Sequence, residues 1–451
     1  MNPSNSLKID LYELTMAAGY FHHNVGLTAA FELSCHTMPE NRSFLIACGL
    51  EQAVDYILNL RFSEEDVRYL KGLPVFKTVK ADFFEYLRQF RFSGDVWAMP
   101  EGEIFFAREP ILQVEAPIIE AQILETYLLS VMNIESLVAT KAARVVAAAC
   151  SDGRERGVVD FGSRRAHGPE AGVLAARAAY IAGALGTSNV FAGKNFGIPV
   201  YGTIAHSWVE AFDSEEESFE KYHRAFPENT ILLIDTYDTI ECIQKIVRVS
   251  FKDKLKGVRL DSGDLKTLSK KVREILDGAG LKQVKILASG NLNEYKIADL
   301  VKAGAPIDLF GVGTDMATSR DYPALDLTYK LVQTTDAKAR VHYKAKYSPQ
   351  KTTIPGKKQI FRRRDKDGFI KEDIIGLSVE DNPQKAQPLL RPVIRKGTLA
   401  GPLPSLEEIR RDTRRRLSGL PPSLLRLDTG VSLNPGYTEK ILELTKANVP
   451  S

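Results

Sequence analysis

Cysteine is scarce in this chain: four in 451 residues, at positions 35, 48, 150 and 242, far apart and without a Cys-x-x-Cys pair. That spacing supports neither a disulfide framework nor a structural zinc site. Net charge is nearly absent, 60 Lys and Arg against 57 Asp and Glu, which argues against a nucleic-acid coat or a strongly basic membrane-surface protein. No stretch approaches the ~20 apolar residues of a membrane span. The opening MNPSNSLKIDLYELTMAAGYF has no basic segment leading into an apolar core, so no secretory signal is expected and a cytoplasmic location is. Three motifs are missing as well: no G-x-x-x-x-G-K-[ST], so any ATP is not held by a P-loop; no G-x-G-x-x-G opening a first βαβ unit; no serine-hydrolase elbow.

What is present is a series of short apolar runs rich in β-branched residues, each ending in small or polar residues: 158–163, 188–193, 198–205, 230–236, 257–262, 284–290 and 307–313. Between the fifth and sixth, Leu265, Leu268, Val272, Ile275 and Leu276 fall on one helical face that stops at glycines. Buried strands alternating with helices predict a parallel sheet covered by helices. Seven of them suit a (β/α) barrel, incomplete or irregular, with a doubly wound open sheet as the rival. Residues 92–117 instead alternate strand-like runs with Gly and Pro turns, and 329–348 read as antiparallel strands. The expected organisation is an N-terminal β-rich domain over 1–120, an α/β barrel domain over 121–330, and a segment 331–451 that returns to the N-terminal domain and ends in basic helices. The basic helix near the end (407–420) reads as a solvated or interface face.

Unusual residues gather at the polar tails of the runs, where a barrel puts its functional groups. ASGN (288–291) and GVGT (311–314) follow the last two runs; glycines there let backbone N–H groups approach an anion. In VRLDSGD, Arg259 offers a fork for a carboxylate or phosphate, with Asp261 and Asp264 beyond it as ligands for Mg²⁺ or ribose hydroxyls. An internal Arg–Asp pair closing the sheet end is the alternative. DFGSRR sets an aromatic face, Phe161, beside two arginines, which suits a flat anionic ring, unless Phe161 is plain core. His206 follows a run directly, and the other six histidines form no metal-spaced pair.

Taken in order, DLYELTMAAGYF, FGSRRAHGPEAG, GTSNVFAG, GTIAHSWVEAF, VRLDSGDL, ASGNLNE, GVGTDMATSRD with PALDLTYKLV, and TTIPGKKQIFRR resemble the nicotinate phosphoribosyltransferase family from about residue 8 to residue 400. The resemblance implies an irregular α/β barrel plus a β-rich α+β domain built from both chain ends. It also implies a homodimer with shared active sites. On matching positions it implies that Tyr12, from the partner chain, and Phe161 cover the two faces of nicotinate, while Arg259 and Thr203 hold its carboxylate. It implies His206 as a phosphohistidine, Asp235 and Asp261 as carboxylates near the ribose and Mg²⁺, and Arg164 as a substrate contact. Ser289, Gly290, Gly311, Gly313 and Thr314 match the 5′-phosphate cradle. The implied reaction joins nicotinate to phosphoribosyl pyrophosphate with ATP as co-substrate; direct metal ligands stay open. Nicotinamide-using relatives carry an acidic residue where this chain has Ser188, so nicotinate is expected over nicotinamide. The alternatives are a nicotinamide or quinolinate phosphoribosyltransferase, or an inactive ligand-binding dimer.

Overall fold

The computed structural model describes residues 5–347, 353–382, 386–427 and 430–448, so Ser348 and Thr352, at the edges of two segments quoted above, lie outside the described residues. The chain forms two compact units, Met1–Leu137 with Ala324–Ser451, and Val138–Pro323. The sequence changes character near residue 120, but the division falls later, inside the helix Glu125–Ala149. Four helices, Leu11–His22, Leu50–Asn59, Glu64–Gly72 and Ala81–Arg88, fill much of the first ninety residues. The third begins at a capping box: Ser63 Oγ accepts from Asp66 N–H (3.1 Å) while the Asp66 carboxylate takes the Ser63 N–H (2.8 Å).

In the first unit both chain ends share one seven-stranded sheet. Its order is Val341–Tyr343, Leu327–Thr335, Thr28–Cys35, Pro110–Pro117, Asp95–Ala98, Arg391–Arg395 and Thr398–Leu399. The central strand Thr28–Cys35 runs antiparallel to Leu327–Thr335 on one side and to Pro110–Pro117 on the other. A buried ionic knot adds a second tie between the ends. Arg362, fully buried, bonds Glu103 (2.7 Å) and Asp373 (2.6 Å), and Glu103 also takes Arg416 Nε (2.9 Å). Arg416 comes from the basic helix Leu406–Ser418, which buries Ile409 and Thr413; that helix is therefore packed on one face and not simply solvated.

Glu13 is fully buried on the helix Leu11–His22. One carboxylate oxygen accepts from the Thr126 amide (3.1 Å) and hydroxyl, and the other has no partner among the described residues. Burial pushes its pKa up to about 7, with the Glu125 charge adding to the rise and the Thr126 hydrogen bonds opposing it. A carboxyl raised on folding binds its proton more tightly in the native state. Its contribution is therefore full below the ordinary carboxylate range and is lost as pH climbs through about 7. Thermal melts from about pH 4 to pH 8 should show that decline in the wild type and not in Glu13→Gln. Parallel curves for the two would remove Glu13 from the pH response.

The second unit holds six parallel strands, ordered Gly186–Thr187, Gly157–Asp160, Leu309–Val312, Lys285–Ala288, Gly257–Leu260 and Ile231–Leu233. The first strand in sequence, Gly157–Asp160, pairs with the last, Leu309–Val312. Between Gly186–Thr187 and Ile231–Leu233 no ladder forms among the described residues. Two of the seven expected strands are absent, and both fall in that gap. Residues 188–193 open a helix, Val190–Phe196, capped by the Asn189 side chain on Ala192 N–H. Residues 198–205 contribute one bridge, Thr187 to Val200. A buried parallel strand needs cover on both faces, yet Val190 is 72% exposed and Phe191 59%. Apolar content there does not report burial.

Candidate active site

Every strand of the parallel sheet ends on the same side, and a cleft of about 450 Å³ opens among the residues that follow the strand ends. Ligands bind at the carboxyl ends of parallel strands because the loops there are free of ladder bonds and helix N-termini face the opening.

One wall follows Gly157–Asp160. Phe161, half-buried, lies across Gly311: a Cβ at 311 would stand 2.5 Å from two atoms of the Phe161 ring. Only glycine at that point of the strand Leu309–Val312 lets the ring sit so close to the neighbouring backbone. Ser163, Arg164 and Arg165 continue this wall, both arginines being exposed. Another part of the lining comes from the strand Gly257–Leu260. Arg259 donates to Thr203 Oγ1 (2.6 Å), and its buried Nε has no partner among the described residues. Burial pulls the Arg259 pKa down, Asp261 and Asp235 pull it back, and Arg164 opposes them. A desolvated guanidinium with an unused donor beside a cleft is suited to an anionic ligand. The internal pairing left open by the sequence is therefore indirect: no carboxylate lies within ion-pair distance of Arg259 among the described contacts.

Asp261 lines the cleft and accepts the Ser289 hydroxyl on Oδ1. Gly290 has φ +93°, and a Cβ there would stand 1.8 Å from the Asp261 carbonyl oxygen, so this turn demands glycine. Gly311, Gly313 and Thr314 complete that side of the cleft. Asp235 stands behind the wall: its Oδ2 accepts from Asp261 N–H (2.9 Å) and from the Ser262 hydroxyl (2.6 Å), while the buried Oδ1 has no partner among the described residues. His206 begins the short helix His206–Glu210, next to Ala205 of the cleft wall, with Nδ1 3.2 Å from Thr236 Oγ1. Ten of the expected residues thus share one cleft, with Asp235 and His206 adjoining it. Tyr12 belongs to the other unit, on the helix Leu11–His22, and is 44% exposed.

Several cleft residues were not singled out from the sequence as ligand contacts: Ser163, Gly202 and Asn291. Asn291 had a local signal, since Asn after Gly at a strand end readily takes the left-handed conformation it has here (φ +50°). Gly202 and Ser163 had none.

Comparison with known proteins agrees across the chain. Models of the nicotinate phosphoribosyltransferase N-terminal domain, family core and C-terminal domain match residues 7–133, 157–369 and 382–441. A nicotinate phosphoribosyltransferase of Mycobacterium tuberculosis is 45% identical over 443 residues, covering 97% of this chain and 92% of the relative. One of Bacillus subtilis is 41% identical over 405 residues, covering 86% and 80%. The crystal structure of human nicotinic acid phosphoribosyltransferase superposes with a TM-score of 0.84 at 28% identity, covering 98% of this chain and 99% of that one. The chain belongs to the nicotinate phosphoribosyltransferase family.

Proposed function

We propose that this chain transfers the phosphoribosyl group of phosphoribosyl pyrophosphate to the ring nitrogen of nicotinate, giving nicotinate mononucleotide and pyrophosphate. The observation that carries this reading is the half-buried Arg259 guanidinium, whose buried Nε has no partner among the described residues and which contacts Thr203, in the same cleft as Phe161 and a glycine-lined cradle. The fork and Thr203 hold the carboxylate at one end of the ring, Phe161 covers a face, and the ring nitrogen is thereby aimed at the sugar. Ser289, Gly290, Gly311, Gly313 and Thr314 cradle the 5′-phosphate. Breaking the bond from C1 to pyrophosphate builds positive charge on the sugar, which Asp261 faces, and negative charge on the leaving group, which Arg164 and Arg165 face.

Mg²⁺ fits this donor set: Asp261 borders the cleft, and Asp235 keeps one buried oxygen without a partner among the described residues. Hard carboxylate oxygens together with substrate phosphates suit that ion. Asp261 and Asp235 would hold it, and it would supply charge neutralisation at the pyrophosphate.

ATP enters as co-substrate through His206. Thr236 engages Nδ1, leaving Nε2 to attack the γ-phosphorus; the Pγ–O bond breaks, ADP leaves, and water later releases phosphate from the histidine. The circular strand order, first beside last with one gap, supports an irregular barrel. A homodimer is part of the same reading. Leu11, Tyr12 and Met16, all more than a third exposed on one helix, offer an apolar surface to a partner, and Tyr12 would cover the second face of nicotinate in the partner's cleft. The cytoplasm suits a chain whose four cysteines are all free, and no helix among the described residues is long and apolar enough to cross a membrane.

The test is product formation from nicotinate, phosphoribosyl pyrophosphate and Mg²⁺, with and without ATP, in wild type and His206→Ala. ATP should stimulate wild type alone. Equal stimulation in both removes His206 from the coupling, and product from nicotinamide or quinolinate in place of nicotinate overturns the substrate. Ser188 sits on the cleft wall, where a carboxylate would accept an amide hydrogen bond and repel an acid. Ser188→Asp should therefore shift the nicotinamide-to-nicotinate ratio of kcat/KM upward by about tenfold or more. An unchanged ratio would dismiss position 188 as a selector.

A further inference from the structure

The segment bearing Phe161 and Arg164 and the segment bearing Ser188 follow adjacent strands, and an unbroken run of hydrogen bonds joins them. Asp160, 1% exposed, is the node. Its Oδ1 accepts Gly162 N–H (2.8 Å), its Oδ2 accepts the Thr187 hydroxyl (2.7 Å), and its carbonyl accepts Ser188 N–H (2.8 Å). Thr187 Oγ1 in turn accepts Asn189 N–H (3.0 Å). Asn189 closes the run: its Oδ1 accepts Ala192 N–H (2.8 Å) and its Nδ2 donates to Ser163 Oγ (2.8 Å). Gly162 follows the carboxylate so closely that a Cβ would meet Asp160 Oδ1 at 2.9 Å and Ala317 Cβ at 2.4 Å.

Capping a helix needs only an acceptor, which serine, threonine or aspartate would supply. The asparagine here also uses its donor, and it points that donor at the other wall of the cleft. We infer that Asn189 is a positioning residue, which with Asp160 and Thr187 behind it fixes the span between the Phe161–Arg164 wall and Ser188 and so sets how the acceptor ring is gripped. This rests on the reading of the cleft as the nicotinate site. Asn189 touches the ring nowhere; it acts through Ser163, which lines the cleft. Asp160, buried and consumed by two donors, supplies the rigid base, because an acceptor with both oxygens bonded has no alternative arrangement to relax into.

Two substitutions separate this bridge from the cap. Asn189→Ser keeps an acceptor for the helix but is too short to reach Ser163; Ser163→Ala removes the other end. KM and kcat for nicotinate and for phosphoribosyl pyrophosphate, with thermal midpoints, would be measured for wild type, both single variants and the double. Each single variant should raise the nicotinate KM about fivefold to tenfold, the loss of one neutral hydrogen bond. The pyrophosphate-substrate KM and the midpoint should hold, and the double should be no worse than either single. A lowered midpoint with an unmoved nicotinate KM would make Asn189 a cap and nothing more, and effects that multiply in the double would deny the bridge. Wild type that makes no mononucleotide from nicotinate would take down the functional reading and this inference with it, whereas active wild type with indifferent variants sinks only the inference.

Discussion

Arg259→Ala should cost about a thousandfold in kcat/KM for nicotinate, ~4 kcal/mol, because truncating one partner of a buried charge-assisted contact costs about 2–5 kcal/mol and each 1.4 kcal/mol is tenfold. The loss should lie mainly in nicotinate binding, since the glycine cradle for phosphate is built on other strands. Arg259→Lys keeps the charge but gives up the planar fork and the reach to Thr203 (2.6 Å in the wild type), so it should recover only part of the activity. Steady-state kinetics on both variants with each substrate varied would decide it. A loss below tenfold in the alanine variant would mean that the carboxylate is held elsewhere.

A change within the first unit should be the most damaging to stability. Arg362→Met would leave Glu103 and Asp373, both buried, without the cation that each contacts at 2.7 and 2.6 Å. Glu109 belongs to the same cluster. Burial, then the neighbouring Asp373 charge, already hold its pKa well above the ordinary carboxylate range despite Arg362. Breaking a buried ionic group from one side costs about 3–5 kcal/mol. The expected fall in thermal midpoint is roughly 5–10 °C at about 2 °C per kcal/mol for a unit of this size. Adding Asp373→Asn to Arg362→Met should win back part of that fall, because Asp373 is then no longer a buried charge without its cation, whereas Glu103 keeps Arg416 (2.9 Å). A midpoint within about 2 °C of wild type for the single variant would show the knot to be dispensable.

The cleft was legible where its chemistry forces particular residues at strand ends. Gly290, Gly311 and Gly313 announce themselves because a side chain would collide with Asp261 or Phe161, and such glycines cluster after the last two strands. Arg259 and Asp261 were legible as a charged pair on a run that otherwise reads as buried. What stayed hidden depends on contacts between distant residues. The Asp160–Thr187 bond spans 27 positions and leaves no spacing to detect, and Glu103 meets Arg362 across 259. Val190 and Phe191 misled in the opposite sense: they look like a buried strand and are exposed on a helix, since residue type alone does not say which side of an element faces solvent. The pairing of the two chain ends could be suspected from their shared β character. The register Thr28↔Thr335 could not.

That register has a consequence during synthesis. Thr28–Cys35 finds its first neighbour, Pro110–Pro117, early, but its other neighbour, Leu327–Thr335, leaves the ribosome only after the whole parallel-stranded unit. At about 5–20 residues per second the interval lasts roughly 10–40 s. Throughout it, a mostly buried central strand offers an open edge to any other nascent chain. The parallel-stranded unit is contiguous, so it can fold while the first unit waits. Translation speed through residues 138–323, rather than the final stability of either unit, then governs how long this protein is open to mispairing.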